Sequence, residues 1–153
     1  MNIVKSVLIA TVSVFSVLAI FIYFNSMDSQ RFKEQNKEFL SMFTQEFSVN
    51  WDIDQVSQYV TNDLYDKINS PKSVRILDYF RNLGSVVTIH DIKMQKYNVI
   101  DGKKVANFAL KTEYEYANVY VTIMLIESNQ TVKVAEFQIV PIDKAPFKKR
   151  ISA

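Results

Sequence analysis

Cysteine is absent from this sequence, histidine occurs once, glycine twice and proline three times. Without cysteine there is no disulfide scaffold, no thiolate metal ligand and no cysteine nucleophile, and the chain suits a reducing or an oxidising compartment equally. A lone histidine gives no basis for a protein-built zinc site, which draws three or four N, S or carboxylate ligands. So few glycines and prolines exclude glycine-rich phosphate loops and proline-rich linkers, and leave most turns to Asn, Asp and Ser. No Gly-x-Ser-x-Gly, His-Glu-x-x-His or Gly-x-x-x-x-Gly-Lys motif is present to mark a hydrolase, a metalloprotease or a nucleotide site. A formal net charge of +2, with no stripe of Lys and Arg in the body of the chain, implies no nucleic-acid surface. What remains, 153 residues of which 48% are apolar and 22% charged, has the make-up of one ordinary folded domain.

The longest apolar run lies near the N-terminus. From Ser6 to Phe24 no residue is charged, and Val, Leu, Ile and Phe fill most positions. At about 1.5 Å per residue such a helix spans roughly 28 Å, close to a hydrocarbon core of about 30 Å. The hydroxyls of Thr11, Ser13 and Ser16 can bond carbonyls one turn back. A cleaved signal peptide is the rival reading, but its apolar region runs to about 7–15 residues and ends at small residues. Here bulky Phe24 and Met27 flank the candidate cleavage points after Ser26 and Ser29. The pattern therefore predicts a retained anchor over residues 1–28. Lys5 and the α-amino group favour a cytoplasmic N-terminus, against the opposing pull of Arg31, Lys33 and Lys37. That orientation sets the domain outside the cytoplasm, anchored in the inner membrane and facing the periplasm, with Asn129-Gln130-Thr131 a glycosylation acceptor only in a glycosylating host.

Residues 29–141 read as an α+β domain, with about three helices packed on a curved four-stranded antiparallel sheet. The anchor helix is free to continue past Asn25-Ser26, with a kink there, into an amphipathic helix on which Phe32, Phe39, Leu40, Phe43 and Phe47 share a face. Asp52 with Gln55 reads as a capping box opening a short second helix, with Ile53, Val56 and Val60 inward. Ser70-Pro71 opens a third, with Val74, Leu77 and Phe80 on one face and Gly84 as its left-handed cap. The period then changes to two. The first strand covers Val86 to Val99, with a phase change between Ile89 and Ile92 that predicts a bulge. Asp101-Gly102 is the hairpin turn into a strand where Ala106, Phe108, Leu110 and Tyr114 alternate with Asn107, Lys111, Glu113 and Glu115. Val119 to Ile126 is apolar on both parities, which fits a central strand covered on both sides by helices, a partner or a second surface. Ser128-Asn129-Gln130 turns into Val132 to Val140, and Pro141 ends the ladder. Residues 142–153, with Lys144, Lys148, Lys149 and Arg150, read as a mobile basic tail.

Three helices before four strands, with the third helix ending Leu77-Asp78-Tyr79-Phe80-Arg81-Asn82-Leu83-Gly84, resembles the nuclear-transport-factor-2-like fold, also called ketosteroid-isomerase-like or cystatin-like. The resemblance covers roughly Gln30 to Val140 and implies helices lying across the concave face of a cone. Joined to one N-terminal span, it is also similar to the periplasmic scaffold subunits of type IV secretion machines, departing from them in having only Met1 to Lys5 ahead of the span. The type IV pilin plan fits less well, because Lys5 stands where an acidic residue is expected.

Enzymes of the resembled fold use Asp, His and Tyr inside the cone to move protons, which singles out His90, Asp91, Tyr114, Tyr116 and Tyr120 as ligand or partner candidates. The plainer reading sets His90 half exposed and unpaired at the bulge, and takes the tyrosines as ordinary strand residues. Asp63, Asp66 and Asp78 are spaced as solvated helix faces and imply no metal. The sequence thus leads to a membrane-tethered, non-enzymatic interaction domain that binds another protein or itself through its sheet or helical face, with no cofactor. The alternative is a small-ligand pocket or isomerase-like site within the cone.

Overall fold

The computed structural model describes residues 2–142, with side chains from Ile22 onward apart from Asn25 and Pro141. The elements are α1 (Asn2–Asn50), a 3-10 stretch (Ile53–Tyr59), α2 (Asn62–Ile68), α3 (Pro71–Phe80), a second 3-10 stretch (Arg81–Leu83), β1 (Val86–Ile100), β2 (Lys103–Tyr114), β3 (Asn118–Ser128) and β4 (Thr131–Pro141). This is an α+β chain with helices packed on one four-stranded antiparallel sheet in the order β1-β2-β3-β4. It divides after Asn36 into two compact units.

The described residues of the first unit are helix throughout. Ile22, Tyr23 and Phe24, where the apolar run ends, are 66%, 63% and 65% exposed. Ser29 Oγ donates to the Ser26 carbonyl at 2.8 Å, and the buried Asn36 amide donates to the Phe32 carbonyl at 2.8 Å. Among the described residues no helix is long and apolar enough to cross a membrane. The expected anchor has all its side chains up to Phe21 outside the described residues, as does the expected basic tail after Ile142.

In the second unit the last turns of α1 lie on the sheet. Leu40, Phe43, Thr44, Phe47 and Ser48 are buried at three- and four-residue steps. Phe43 and Phe47 meet Phe137 of β4 edge-on, with ring centroids 6.1 and 5.2 Å apart. Thr44 Oγ1 returns its hydrogen bond to the Leu40 carbonyl at 2.7 Å, so its burial leaves no polar group unpaired. Trp51 ends the helix at φ 53° and stacks on Tyr114 of β2 at 5.6 Å.

The short helix expected after Asp52 is present, in 3-10 form. Its cap is the Asp52 carboxylate accepting from Asp54 N at 3.0 Å, with Ile53, Val56 and Val60 buried as the pattern predicts. The helix the sequence reading did not foresee, α2, is capped by Thr61 and buries only Leu64 and Ile68, one apolar pair too short to register as a period. In α3 the Ser70 cap and Pro71 stand as expected, but Val74 is exposed and no residue of the helix is buried. Gly84 has the positive φ its role required, at 76°, yet its ψ of −161° lies outside the left-handed helical well, because Arg81–Leu83 already turn the chain. That conformation is open essentially to glycine alone.

The bulge foreseen in β1 is one of three, between Val86/Thr88, Ile89/Asp91 and Met94/Lys96. Each resets the alternation, so Val86, Ile89, Ile92, Met94 and Tyr97 all fall on the half-buried side despite their irregular spacing. Both flanking hairpins have two-residue turns with positive φ at each central position: Asp101 (50°) with Gly102 (73°), and Asn129 (51°) with Gln130 (64°). Type I′ turns require this, and their twist suits the strands they join. On β2 the buried positions are Ala106, Phe108, Leu110, Thr112 and Tyr114; on β3 they are Val119, Val121, Ile123 and Leu125. The two-sided cover expected for β3 is not found among the described residues. Tyr120, Thr122, Met124 and Ile126 lie half buried or exposed on the opposite face.

Candidate interaction site

Alternation along paired strands sorts the candidate residues onto two sides of the sheet. The inner side carries the core. Phe43, Phe47, Trp51, Phe108, Leu110 and Ile123 are each no more than 2% exposed there. On the outer side, Asp91 of β1, Lys111 of β2, Tyr120 of β3 and Val140 of β4 stand in one row across all four strands. An open groove of about 880 Å³ runs along this row, with Met94, Ala109 and Thr122 also in its lining. A smaller cleft of about 380 Å³ adjoins it, sharing His90 and Lys111 and adding Glu113, Asn118 and Ile142.

His90 occupies the second bulge of β1, between the Ile89↔Thr112 and Asp91↔Lys111 pairs. It is half exposed, as expected, but it is not unpaired: Nε2 lies 2.9 Å from Glu113 Oε2. Asp91 Oδ2 lies 3.2 Å from Lys93 Nζ. Both pairs are open to water, and exposed pairs contribute about 0–1 kcal/mol. They can be rearranged by a partner at little cost to the fold. Thus His90, Asp91 and Tyr120 meet at one groove.

Tyr114 and Tyr116 lie elsewhere. Tyr114 is 3% exposed on the inner side, and its Oη has no hydrogen-bond partner among the described residues. Burial raises its phenol well above the ordinary tyrosine range. Tyr116 is 52% exposed in the turn between β2 and β3, a turn tied down by Glu115 N to the Ser85 carbonyl (3.1 Å) and Tyr116 N to the Leu83 carbonyl (3.1 Å). The sheet therefore stands between the Tyr114 phenol and the His90-Asp91 pair, and the proton-moving set implied by the resemblance is not assembled at one place. Nor, among the described residues, do three His, Asp or Glu side chains converge as metal ligands would.

Sequence reasoning did not single out Lys93, Lys111, Thr122 or Glu113 as neighbours of the groove. One signal for Glu113 was available. Continued unbroken from the Ile100↔Lys103 pair beside the Asp101-Gly102 turn, the hairpin register sets His90 opposite Glu113. Lys111 becomes visible only once the β1 bulges set it opposite Asp91, and Thr122 only once β3 is registered on β2, because their proximity is cross-strand. Comparison with family models, with curated proteins and with solved structures finds no match to this chain, so the groove is read from its own geometry.

Proposed function

We propose that this chain is a membrane-tethered, non-enzymatic interaction domain of the nuclear-transport-factor-2-like kind, facing the periplasm and binding a protein partner through the outer side of its sheet. The observation that carries the reading is the outer side of β2 and β3, uncovered among the described residues, where a groove lined by apolar Ala109 and Val140 with Lys111, Tyr120 and His90 adjoins the cleft that holds Glu113. Apolar floor with polar rim is the usual anatomy of a protein-binding surface. The exposed Ile22, Tyr23 and Phe24 at the end of the apolar run support the tether, since three adjacent apolar side chains in water are disfavoured and in a bilayer interface are not. A ligand chamber under the helices has less support, because the inner side is occupied by close-packed aromatic and aliphatic side chains.

The test is capture from membranes after crosslinking, with the full chain and with a full chain carrying Ala109→Arg and Thr122→Arg. The reading expects a stoichiometric partner that the doubly substituted chain loses while its unfolding transition is unchanged. Equal capture by both chains, or no stoichiometric partner with either, overturns it.

A further inference from the structure

The two edges of the sheet differ. On β1 three bulges interrupt the row of N–H and C=O groups that an added strand would need, and Lys93 and Lys96 stand on that edge. Bulges and lysines are the usual protection of an exposed edge. The longest even run on β1, Lys96–Ile100, begins at a lysine and abuts the hairpin turn. On β4 the only register shift lies between Val134 and Glu136, and from Glu136 to Val140 the pairing with β3 is unbroken. That stretch contains no Gly, Pro, Lys or Arg.

Upstream, the same edge already takes a strand. Val60 pairs in parallel with Val134, and Thr61 N donates to the Val134 carbonyl at 2.9 Å. Among the described residues nothing pairs with the far side of Glu136–Val140. Among the described residues the edge is therefore filled where the chain supplies an extended segment and open immediately beyond.

We infer that Glu136–Val140 pairs antiparallel with the same segment of a second copy of this chain, joining two four-stranded sheets into one. The inference rests on the interaction reading above for the membrane tether, and goes beyond it in naming the partner and a different surface. In an antiparallel ladder directly opposed residues share a face, so a two-fold axis must pass through a single residue position. With the axis at Gln138, Gln138 faces its own copy, Phe137 faces Ile139 and Glu136 faces Val140. No like charges are opposed, and the half-buried Phe137 and Ile139 carry the apolar inner layer across the seam. Moving the axis to Phe137 brings in the Ala135 bulge, and moving it to Ile139 brings in Pro141, which has no N–H to donate. Five residues of pairing bury far less than the roughly 1,200–2,000 Å² of a stable free-standing interface. The pairing is accordingly weak in dilute solution and becomes populated where a common membrane raises the effective concentration of the two copies.

The absence of native cysteine makes the test clean. Opposed antiparallel residues have Cα atoms about 4.5–5.5 Å apart, within the roughly 4.4–6.8 Å that a disulfide spans. Full-length Gln138→Cys, reconstituted in neutral phospholipid vesicles and mildly oxidised, should give several times the covalent dimer formed by Asn98→Cys on the other edge or Thr122→Cys in the groove. Mixed Glu136→Cys and Val140→Cys chains should crosslink to each other more than either does alone. As a non-covalent check, Gln138→Lys and Gln138→Glu should each lose association about tenfold and regain it when mixed, like charges meeting in the first case and opposite charges in the second. Monomer from Gln138→Cys, which is the result if residues 143–153 cover the edge, overturns the inference. So does equal or stronger crosslinking from Thr122→Cys or Asn98→Cys. Flotation with the vesicles reads the tether separately, and the Ala109→Arg, Thr122→Arg chain keeps the Gln138 edge, so either reading can fail alone.

Discussion

The two sides of β2 and β3 share a backbone and a register and differ in almost everything else. On the inner side, Phe108, Leu110, Val121 and Ile123 are fully excluded from water, as are Phe43, Phe47 and Trp51 to within 2%. On the outer side, Ala109, Thr122 and Met124 remain partly wet and Tyr120 is 43% exposed. Backbone pairing is thus the same for both sides, and the difference in stability they confer comes from packing. The inner side makes the fold, while the outer side is free to be chosen for something else.

The largest expected effect tests that division. Phe47→Ala, which removes a ring packed against Phe43, Trp51 and Phe137, should cost about 3–5 kcal/mol of stability through lost burial and the cavity left behind. Met124→Ala on the outer side should cost less than about 1 kcal/mol, because its partly exposed side chain already meets water. Denaturant unfolding of the full chain in micelles, followed by fluorescence of Trp51, reads both. Equal costs would show that the outer side is part of the core.

This division also sets what was legible in the sequence. The inner residues of β2 could be read directly, since Ala106, Phe108, Leu110 and Tyr114 obey a strict period of two between a strong turn and a polar counterface. The irregular first strand announced one bulge through the Ile89 to Ile92 phase change; the bulge at Val86/Thr88 is masked because the exposed Val87 is itself apolar, and the one at Met94/Lys96 has only polar Gln95 and Lys96 before Tyr97. On β3 the pattern stopped short for a physical reason. Apolar residues on both parities signal a surface that avoids water, but do not choose among helices of the same chain, a partner or a second surface as its cover. Trp51 gave no signal, because a bulky residue at positive φ follows from helix termination and the Tyr114 stack, not from local preference. The groove was half legible: His90 and Asp91 are sequence neighbours, whereas Lys111, Thr122 and Val140 join them only through three ladders.

A smaller effect sharpens the contrast at the two glycines. A Cβ on Gly102 would meet nothing within 4 Å, so Gly102→Ala should carry only the strain of its φ of 73°, about 1–2 kcal/mol. A Cβ on Gly84 would come within 2.6 Å of Glu115 Oε2 and 2.7 Å of Glu115 Cβ, at a φ of 76°. Gly84→Ala should therefore cost distinctly more than Gly102→Ala, on the order of 3 kcal/mol once the turn holding Glu115 is displaced. The Gly84→Ala, Glu115→Gly double substitution, which removes the Glu115 Cβ as well as its carboxylate, should cost less than the two single substitutions added, and the same unfolding measurement reads it. Additive costs would place the whole Gly84→Ala loss in the backbone.

The smallest effect compares two tyrosines on opposite sides. The Tyr114 hydroxyl is buried without a hydrogen-bond partner among the described residues, so Tyr114→Phe at neutral pH should leave stability unchanged or raise it by up to about 1 kcal/mol. A loss larger than that would mean that the hydroxyl is satisfied after all. Its pH dependence follows from the same burial, which holds the folded phenol neutral and lifts its titration above that of the unfolded chain. Below about pH 10, the ordinary tyrosine value, both states are protonated and the contribution is present in full. Above it the unfolded chain releases the proton and the folded chain keeps it, so stability falls by about 1.4 kcal/mol per pH unit for this one group until the folded phenol itself titrates. Tyr65, whose phenol donates to Asp54 Oδ1 at 2.6 Å and is raised chiefly by that hydrogen bond, adds to the fall in the same direction. Tyr114→Phe should therefore flatten the alkaline limb of the stability curve without abolishing it. Tyr120→Phe, which deletes a hydroxyl from the outer side and leaves Tyr114 in place, should retain the Tyr114 part of the slope. If the two substitutions flatten the limb equally, the buried phenol is not its source, and the contrast between the two sides of the sheet does not extend to proton binding.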